Sequence, residues 1–173
     1  MKIVGSQAQL TKALVTDSIT ASTALATIND AAFHATDNTV TIAATALSGI
    51  GGATSGTVTL KNKVRISGTQ SEVTTALIGG SSVVASQAAT EAVVTNAVNA
   101  SQGAAIADVS KITGIFSGGL TDSVGNLVTG VTTSANLNTV TTEDTDINIT
   151  VSDSAFHATD NTATITAAGL SAV

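Results

Sequence analysis

The feature that most constrains this chain is an internal duplication. Residues 28–50, INDAAFHATDNTVTIAATALSGI, lie without a gap on residues 151–173, VSDSAFHATDNTATITAAGLSAV, with 14 identities in 23 places. The stretch AFHATDNT recurs letter for letter. A weaker pair sets residues 3–14, IVGSQAQLTKAL, on residues 66–77, ISGTQSEVTTAL, with six identities. Offsets of 123 and 63 residues point to a unit of about 60 residues used two to three times. The expected units are 1–63, 64–130 and an incomplete 131–173, inside one repeat-built domain spanning residues 1–173.

The weaker pair carries its own physics. Ser6 with Gln9, and Thr69 with Glu72, fit the capping box, in which a hydroxyl accepts the N3 amide and the N3 side chain reaches back. Leu10, Ala13 and Leu14 follow in one copy, and Val73, Ala76 and Leu77 in the other. The i, i+3, i+4 spacing makes each set the apolar stripe of a short helix. A brief apolar run and a glycine, Gly5 or Gly68, precede each cap. The unit therefore reads strand, glycine turn, capped helix, strand.

Later segments alternate in the manner of strands: Asp146–Val151, and the Thr-rich stretches Thr39–Ile42, Thr57–Leu60 and Thr162–Thr166. Gly51-Gly52, Gly79-Gly80 and Gly118-Gly119 mark breaks between elements. Ala88–Ala100, AATEAVVTNAVNA, reads as the best longer helix, with Val94, Ala97 and Val98 on one face. Lys61, Lys63 and Arg65 alternate as the solvated face of a strand.

Short units of this kind cannot each enclose a core and gain stability by stacking. The expected fold is a β-rich repeat protein with short helices, in a mixed α/β, solenoid-like stack. A compact α+β globular domain is the alternative. Composition agrees with thin, regular layers: 43% of residues are apolar, but there are three Phe and no Trp, Tyr, Pro or Cys. Large rings fill irregular cores, whereas the 31 Thr, beside Val and Ile, suit pleated surfaces.

The same numbers narrow the function. A net charge of −6 with six Lys and Arg argues against nucleic acid. Without cysteine there is no disulfide framework, thiolate nucleophile or Cys-ligated zinc. No signal peptide is expected at Met1, and the uncharged run Ser123–Thr142 is too polar for a membrane span. Acidic residues gather near the C-terminus at Glu143, Asp144, Asp146, Asp153 and Asp160.

VRISGTQSEVTTAL and the stretch from Asp146 to Val173 resemble the degenerate Thr/Ala/Ser/Asp-rich repeats of very large bacterial secreted and cell-surface proteins. Such repeats occur in adhesins, surface-layer-like proteins and hemolysin-type giants. The resemblance covers most of the chain in style, and it implies an exported structural segment of something far longer. Calcium-binding nonapeptides of the form G-G-x-G-x-D are not carried over. GGLTDSVGN, Gly118–Asn126, lacks the third glycine and places its Asp one position early.

Two residue groups are candidates for an ion. Asp144, Asp146 and Asn148 reproduce the opening spacing of an EF-hand loop, with Asp153 nearby. Ile149 stands where that loop needs Gly, and Ala155 where it needs Glu. What remains is a looser calcium site or a solvated acidic turn. The second group is His34 with Asp37, and its duplicate His157 with Asp160, flanked by Asp30 and Asp153. An imidazole and a carboxylate can share a metal. The alternative is structural, with Phe33 and Phe156 as anchors and Asp37-Asn38 and Asp160-Asn161 turning the chain into a strand.

No G-x-S-x-G elbow or phosphate loop appears, and the two His occupy matching repeat positions. The expectation is a non-catalytic structural repeat segment of a bacterial extracellular or cell-surface protein, acting as spacer, adhesive or self-assembling scaffold. Its expected partners are other copies or neighbouring repeats, with no nucleic acid and no membrane insertion. Calcium is the one cofactor implied. The alternatives are a Thr-faced solenoid binding ice or a small ligand, a calcium-stabilised repeat module, and a polysaccharide-active enzyme.

Overall fold

The computed structural model describes residues 1–19, 23–31, 40–79, 83–86, 90–129 and 132–153. The chain opens with β1 (Lys2–Gly5), α1 (Gln7–Leu10) running into a π turn at Thr11–Thr16, and β2 (Leu25–Ile28). Next come β3 (Thr41–Ala43), α2 (Ala44–Gly52), β4 (Val58–Leu60), β5 (Arg65–Gly68), α3 (Gln70–Leu77) and β6 (Val83–Ala85). They lead to β7 (Thr90–Val94), α4 (Ala100–Ala107), β8 (Ile112–Ile115), β9 (Leu120–Asp122) and α5 (Val124–Leu127). The last described elements are β10 (Val128–Thr129), β11 (Thr132–Thr133), α6 (Ala135–Glu143) and β12 (Ile149–Val151).

Two four-stranded sheets dominate. Sheet A runs β1-β2-β4-β6 and sheet B runs β3-β5-β7-β8, both wholly parallel and open at their edges. β9 and β12 form a third parallel pair, with Val98 bridging to Leu120 beside it, and β10 and β11 a small antiparallel one. In each large sheet, strand order follows chain order. Lys2 stands opposite Leu25, Ala26 opposite Val58, and Val58 opposite Val83. The pairing interval thus varies from 22 residues (Thr90 to Ile112) to 32 residues (Ala26 to Val58). With six α-helices among the described residues, this is a mixed α/β architecture without a closed barrel, and the compact α+β alternative fits it.

Alternation sets the faces. In sheet A, Ala26, Ile28, Val58, Leu60 and Val83 point inward and are buried, and in sheet B Ile42, Ile66, Ala92 and Val94 do so. Helices cover them with Leu10, Leu47, Ile50, Val73, Ile106, Leu137 and Val140, all buried. α2 lies on α3, and α4 on α6. A fully buried aliphatic side chain contributes roughly 1.5–3 kcal/mol, against about 1 kcal/mol for a helix cap. Packing therefore holds the helices, while the caps fix where they start.

Two expectations change. Ala88–Ala100 is not one helix: Thr90–Val94 is a central strand of sheet B, and α4 begins only after Asn99. Thr90, Ala92 and Val94 are buried while Glu91 and Val93 are half-buried. That two-residue period also fits the sequence, and β-branched Thr90, Val93 and Val94 favour it. Of the basic triplet, Lys61 and Lys63 lie in the corner between β4 and β5, and Arg65 alone is in a strand. Arg65 pairs with Glu91 of the neighbouring strand, its guanidinium 2.7 Å from Oε2.

The glycine pairs do punctuate the chain: Gly51-Gly52 closes α2, and Gly79 follows α3. Gly118 and Gly119 separate β8 from β9 for distinct reasons. A side chain on Gly118 would collide with the backbone of Asn96, and Gly119 has φ +77°.

Candidate functional site

Both expected capping boxes are present. Ser6 Oγ accepts the amide of Gln9 at 3.3 Å, and Gln9 Oε1 accepts the amide of Ser6 at 2.9 Å. Thr69 and Glu72 repeat the exchange at 3.4 and 2.8 Å. A third box, Asn99 with Gln102, stands at the head of α4 at 2.8 and 3.1 Å. Its Asn-x-x-Gln spelling starts at Asn99, inside the run that reads as helix, and ends beyond it at Gln102.

The N1 amide is left unsatisfied by the local caps of α1, α3 and α4, and α5 has no side-chain cap at all. That amide is taken by an Asp or Asn from the next strand in the pairing order. Asp30 Oδ2 accepts the Gln7 amide at 2.6 Å, and Asn96 Oδ1 the Gln70 amide at 2.6 Å. Asp122 Oδ2 accepts the Ala100 amide at 3.0 Å, and Asp153 Oδ2 the Val124 amide at 2.7 Å. Donor and acceptor always sit two residues beyond a paired position: Gly5 with Ile28, Gly68 with Val94, Val98 with Leu120, and Asp122 with Val151. Asn62 occupies the same place after β4, where its Nδ2 donates to the Asp30 carbonyl at 2.6 Å. Sequence reading missed this device. Its signal is an apolar residue, any residue, then Asp or Asn: IND, LKN, VTN, LTD and VSD.

Asp122 is the most engaged of these carboxylates. Burial alone would raise its pKa, but hydrogen bonds from Asn126 Nδ2 and from the amides of Ala100 and Ser123 outweigh it. The carboxyl is held below its ordinary range. Beside it, Asn99, Ser101, Asp122, Asn126 and Asn136 line a polar hollow of about 150 Å³.

The expected calcium residues are placed as follows. Asp144 Oδ2 accepts the Phe116 amide at 2.7 Å, at the end of β8, while Asp153 serves α5. The Asn148 carbonyl accepts the Leu120 amide at 2.8 Å, and Asp146 is exposed. Among the described residues, no three His, Cys, Asp or Glu side chains gather as a metal group. His34, Asp37, His157 and Asp160 lie outside the described residues, as do Phe33 and Phe156.

Among the described residues, the threonines of the Thr-rich stretches fall in two different sheets. Thr41 is in sheet B, whereas Thr57 adjoins and Thr59 belongs to β4 of sheet A; Thr39, Thr162, Thr164 and Thr166 lie outside the described residues. The outer face of sheet A instead bears an open groove of about 580 Å³. Leu25, Thr27, Thr57 and Thr59 floor it, and Lys2 and Lys61 flank it. No described helix is long and apolar enough to cross a membrane.

Compared with protein-family models, with curated proteins and with solved structures, the chain finds no match.

Proposed function

We propose that this chain is a non-catalytic structural repeat segment of a bacterial extracellular or cell-surface protein, a spacer and self-assembling scaffold whose strand–helix turns stack in a solenoid-like manner. The observation that supports this most is the recurrent use of Asp and Asn at strand ends. Asp30, Asn96, Asp122 and Asp153 each bind the helix amide of the preceding strand's unit. Side chains that a catalytic site would aim at a substrate are here spent on the backbone. A register device repeated four times suits a protein whose work is length and shape.

The stacking also explains the duplication. Asp30 and Asp153, equivalent in the two copies of residues 28–50 and 151–173, do the same thing to different helices. Surface placement and export rest on the resemblance to bacterial surface repeats.

Small-angle scattering with sedimentation velocity tests the reading. An elongated particle whose mass grows with concentration supports it. A compact particle that stays monomeric at every concentration overturns it, and so does hydrolysis of a polysaccharide by the purified chain.

A further inference from the structure

The charge of this chain is divided along its length. All six Lys and Arg lie in residues 1–111, where six carboxylates balance them; residues 112–173 hold the other six carboxylates and no Lys or Arg. The whole net charge of −6 therefore belongs to the C-terminal third. An acidic segment on one copy is complementary to any surface of another copy that presents unpaired lysines.

Lys2 and Lys61 flank the groove on the outer face of sheet A. The ion pairs among the described residues involve Lys12 and Arg65, not these two. Between the lysines the face is apolar and hydroxyl-bearing. Val4, Thr27, Thr59 and Val84 stand opposite one another in a row across all four strands, and Leu25 lies beside Lys2. Val4 is 54% exposed, Leu25 52% and Val84 47%, three of the seven exposed large apolar side chains among the described residues. An apolar centre with a charged rim is the anatomy of a protein interface, and a continuous exposed apolar patch on a sheet face marks an interaction site.

The acidic partner is also in the chain. Glu143, at the end of α6, and exposed Asp146, just before β12, carry carboxylates that the backbone does not use, whereas Asp144 between them is bound to Phe116. Resting on the self-assembly reading above, we propose that copies of this chain associate head to tail, the Lys2/Lys61 face of sheet A on one copy receiving the Glu143/Asp146 segment of the next. Two different surfaces meet in such a contact. It is heterologous, so it propagates into open chains of copies instead of closing as a twofold dimer.

Charge reversal tests it. Lys2→Glu with Lys61→Glu makes one variant, and Glu143→Lys with Asp146→Lys the other. Each alone associates at least about tenfold more weakly than the wild type in sedimentation velocity at low salt. Mixed in equal amounts, they recover association, because each copy's altered surface then matches the other's. Raising salt from about 0.05 M to about 0.5 M weakens the wild-type contact. Circular dichroism confirms that the variants fold, and if half-buried Glu143 does not tolerate reversal, Asp146→Lys alone carries the test. Wild type that stays monomeric overturns this proposal together with the self-assembly reading. Association untouched by both reversals, or a mixture that fails to recover, overturns this surface alone. A monomer that binds polygalacturonate through Lys2 and Lys61 makes an acidic glycan the occupant and also overturns it.

Discussion

The carboxylate of Asp30 accepts the backbone amide of Gln7 at 2.6 Å, across the register in which Gly5 faces Ile28. The bond joins the first turn of α1 to the strand that follows it, so it is both a helix cap and a register pin. Sliding β2 by one residue would break it and also turn Ala26 and Ile28 out of the core. Asp30→Ala is therefore expected to cost about 1–2 kcal/mol, the range for losing a charged acceptor at a helix start. Asp30→Asn, which keeps an acceptor oxygen, should lose less than half of that. Urea unfolding of the three proteins checks the order; equal midpoints would show that the bond adds nothing.

Asp122 makes stability depend on acid. Its folded pKa lies below the ordinary value, so the unfolded chain takes up the proton first as pH falls. Its contribution is complete above the unfolded pKa, about 4, and is lost as pH drops through the lower folded value. Asp122→Asn removes that titration and leaves one oxygen, which can accept from the amide of Ala100 or of Ser123 but not from both. Between about pH 4.5 and pH 2.5 the variant's urea midpoint should fall less steeply than that of the wild type. Parallel slopes would assign acid sensitivity to other carboxylates.

Local signals were legible in the sequence and partner choice was not. Ser6 with Gln9 and Thr69 with Glu72 announce their helices because a capping box is written within four residues. Their strands, β1 and β5, read alike yet lie in different sheets. Which sheet a strand joins depends on side chains far along the chain. Thr90–Val94 reads equally as helix because Ala and Val satisfy both periods, and the deciding fact is burial of Thr90 and Ala92 between β5 and β8. The Asp and Asn pins escaped because their spacing follows a pairing interval that drifts between 22 and 32 residues, not the 63- or 123-residue offset. The residues of AFHATDNT, the second of the two groups read as candidates for an ion, lie outside the described structure.

Glycine substitutions should divide by position. Gly118→Ala places a methyl group against the Asn96 backbone, which cannot rotate away as a side chain would. An overpacking cost of about 2 kcal/mol or more is expected. Gly52 in α2 and Gly125 in α5 have open space where a methyl group would go, and neither has a positive φ. Alanine there should stabilise by about 0.4–1 kcal/mol by restricting the unfolded chain. Thermal melts of the three variants measure the contrast; a neutral Gly118→Ala would mean that β9 can shift away from Asn96.

Calcium provides the last contrast. Asp144 and Asp153 are bound to the amides of Phe116 and Val124, on separate elements, and Asn148 presents its carbonyl to Leu120. For these groups to gather round an ion together with Asp146, two charge-assisted hydrogen bonds would first have to break, at about 1.5–3 kcal/mol each. That cost offsets most of the gain from a weak oxygen-ligated site with millimolar affinity, which is worth about 4 kcal/mol. The melting midpoint is therefore expected to stay unchanged between chelator and millimolar calcium. An upward shift that grows with calcium concentration would show by mass action that the folded chain binds the ion. Its loss in Asp144→Asn or Asp153→Asn would then identify the carboxylates that had exchanged an amide for a cation.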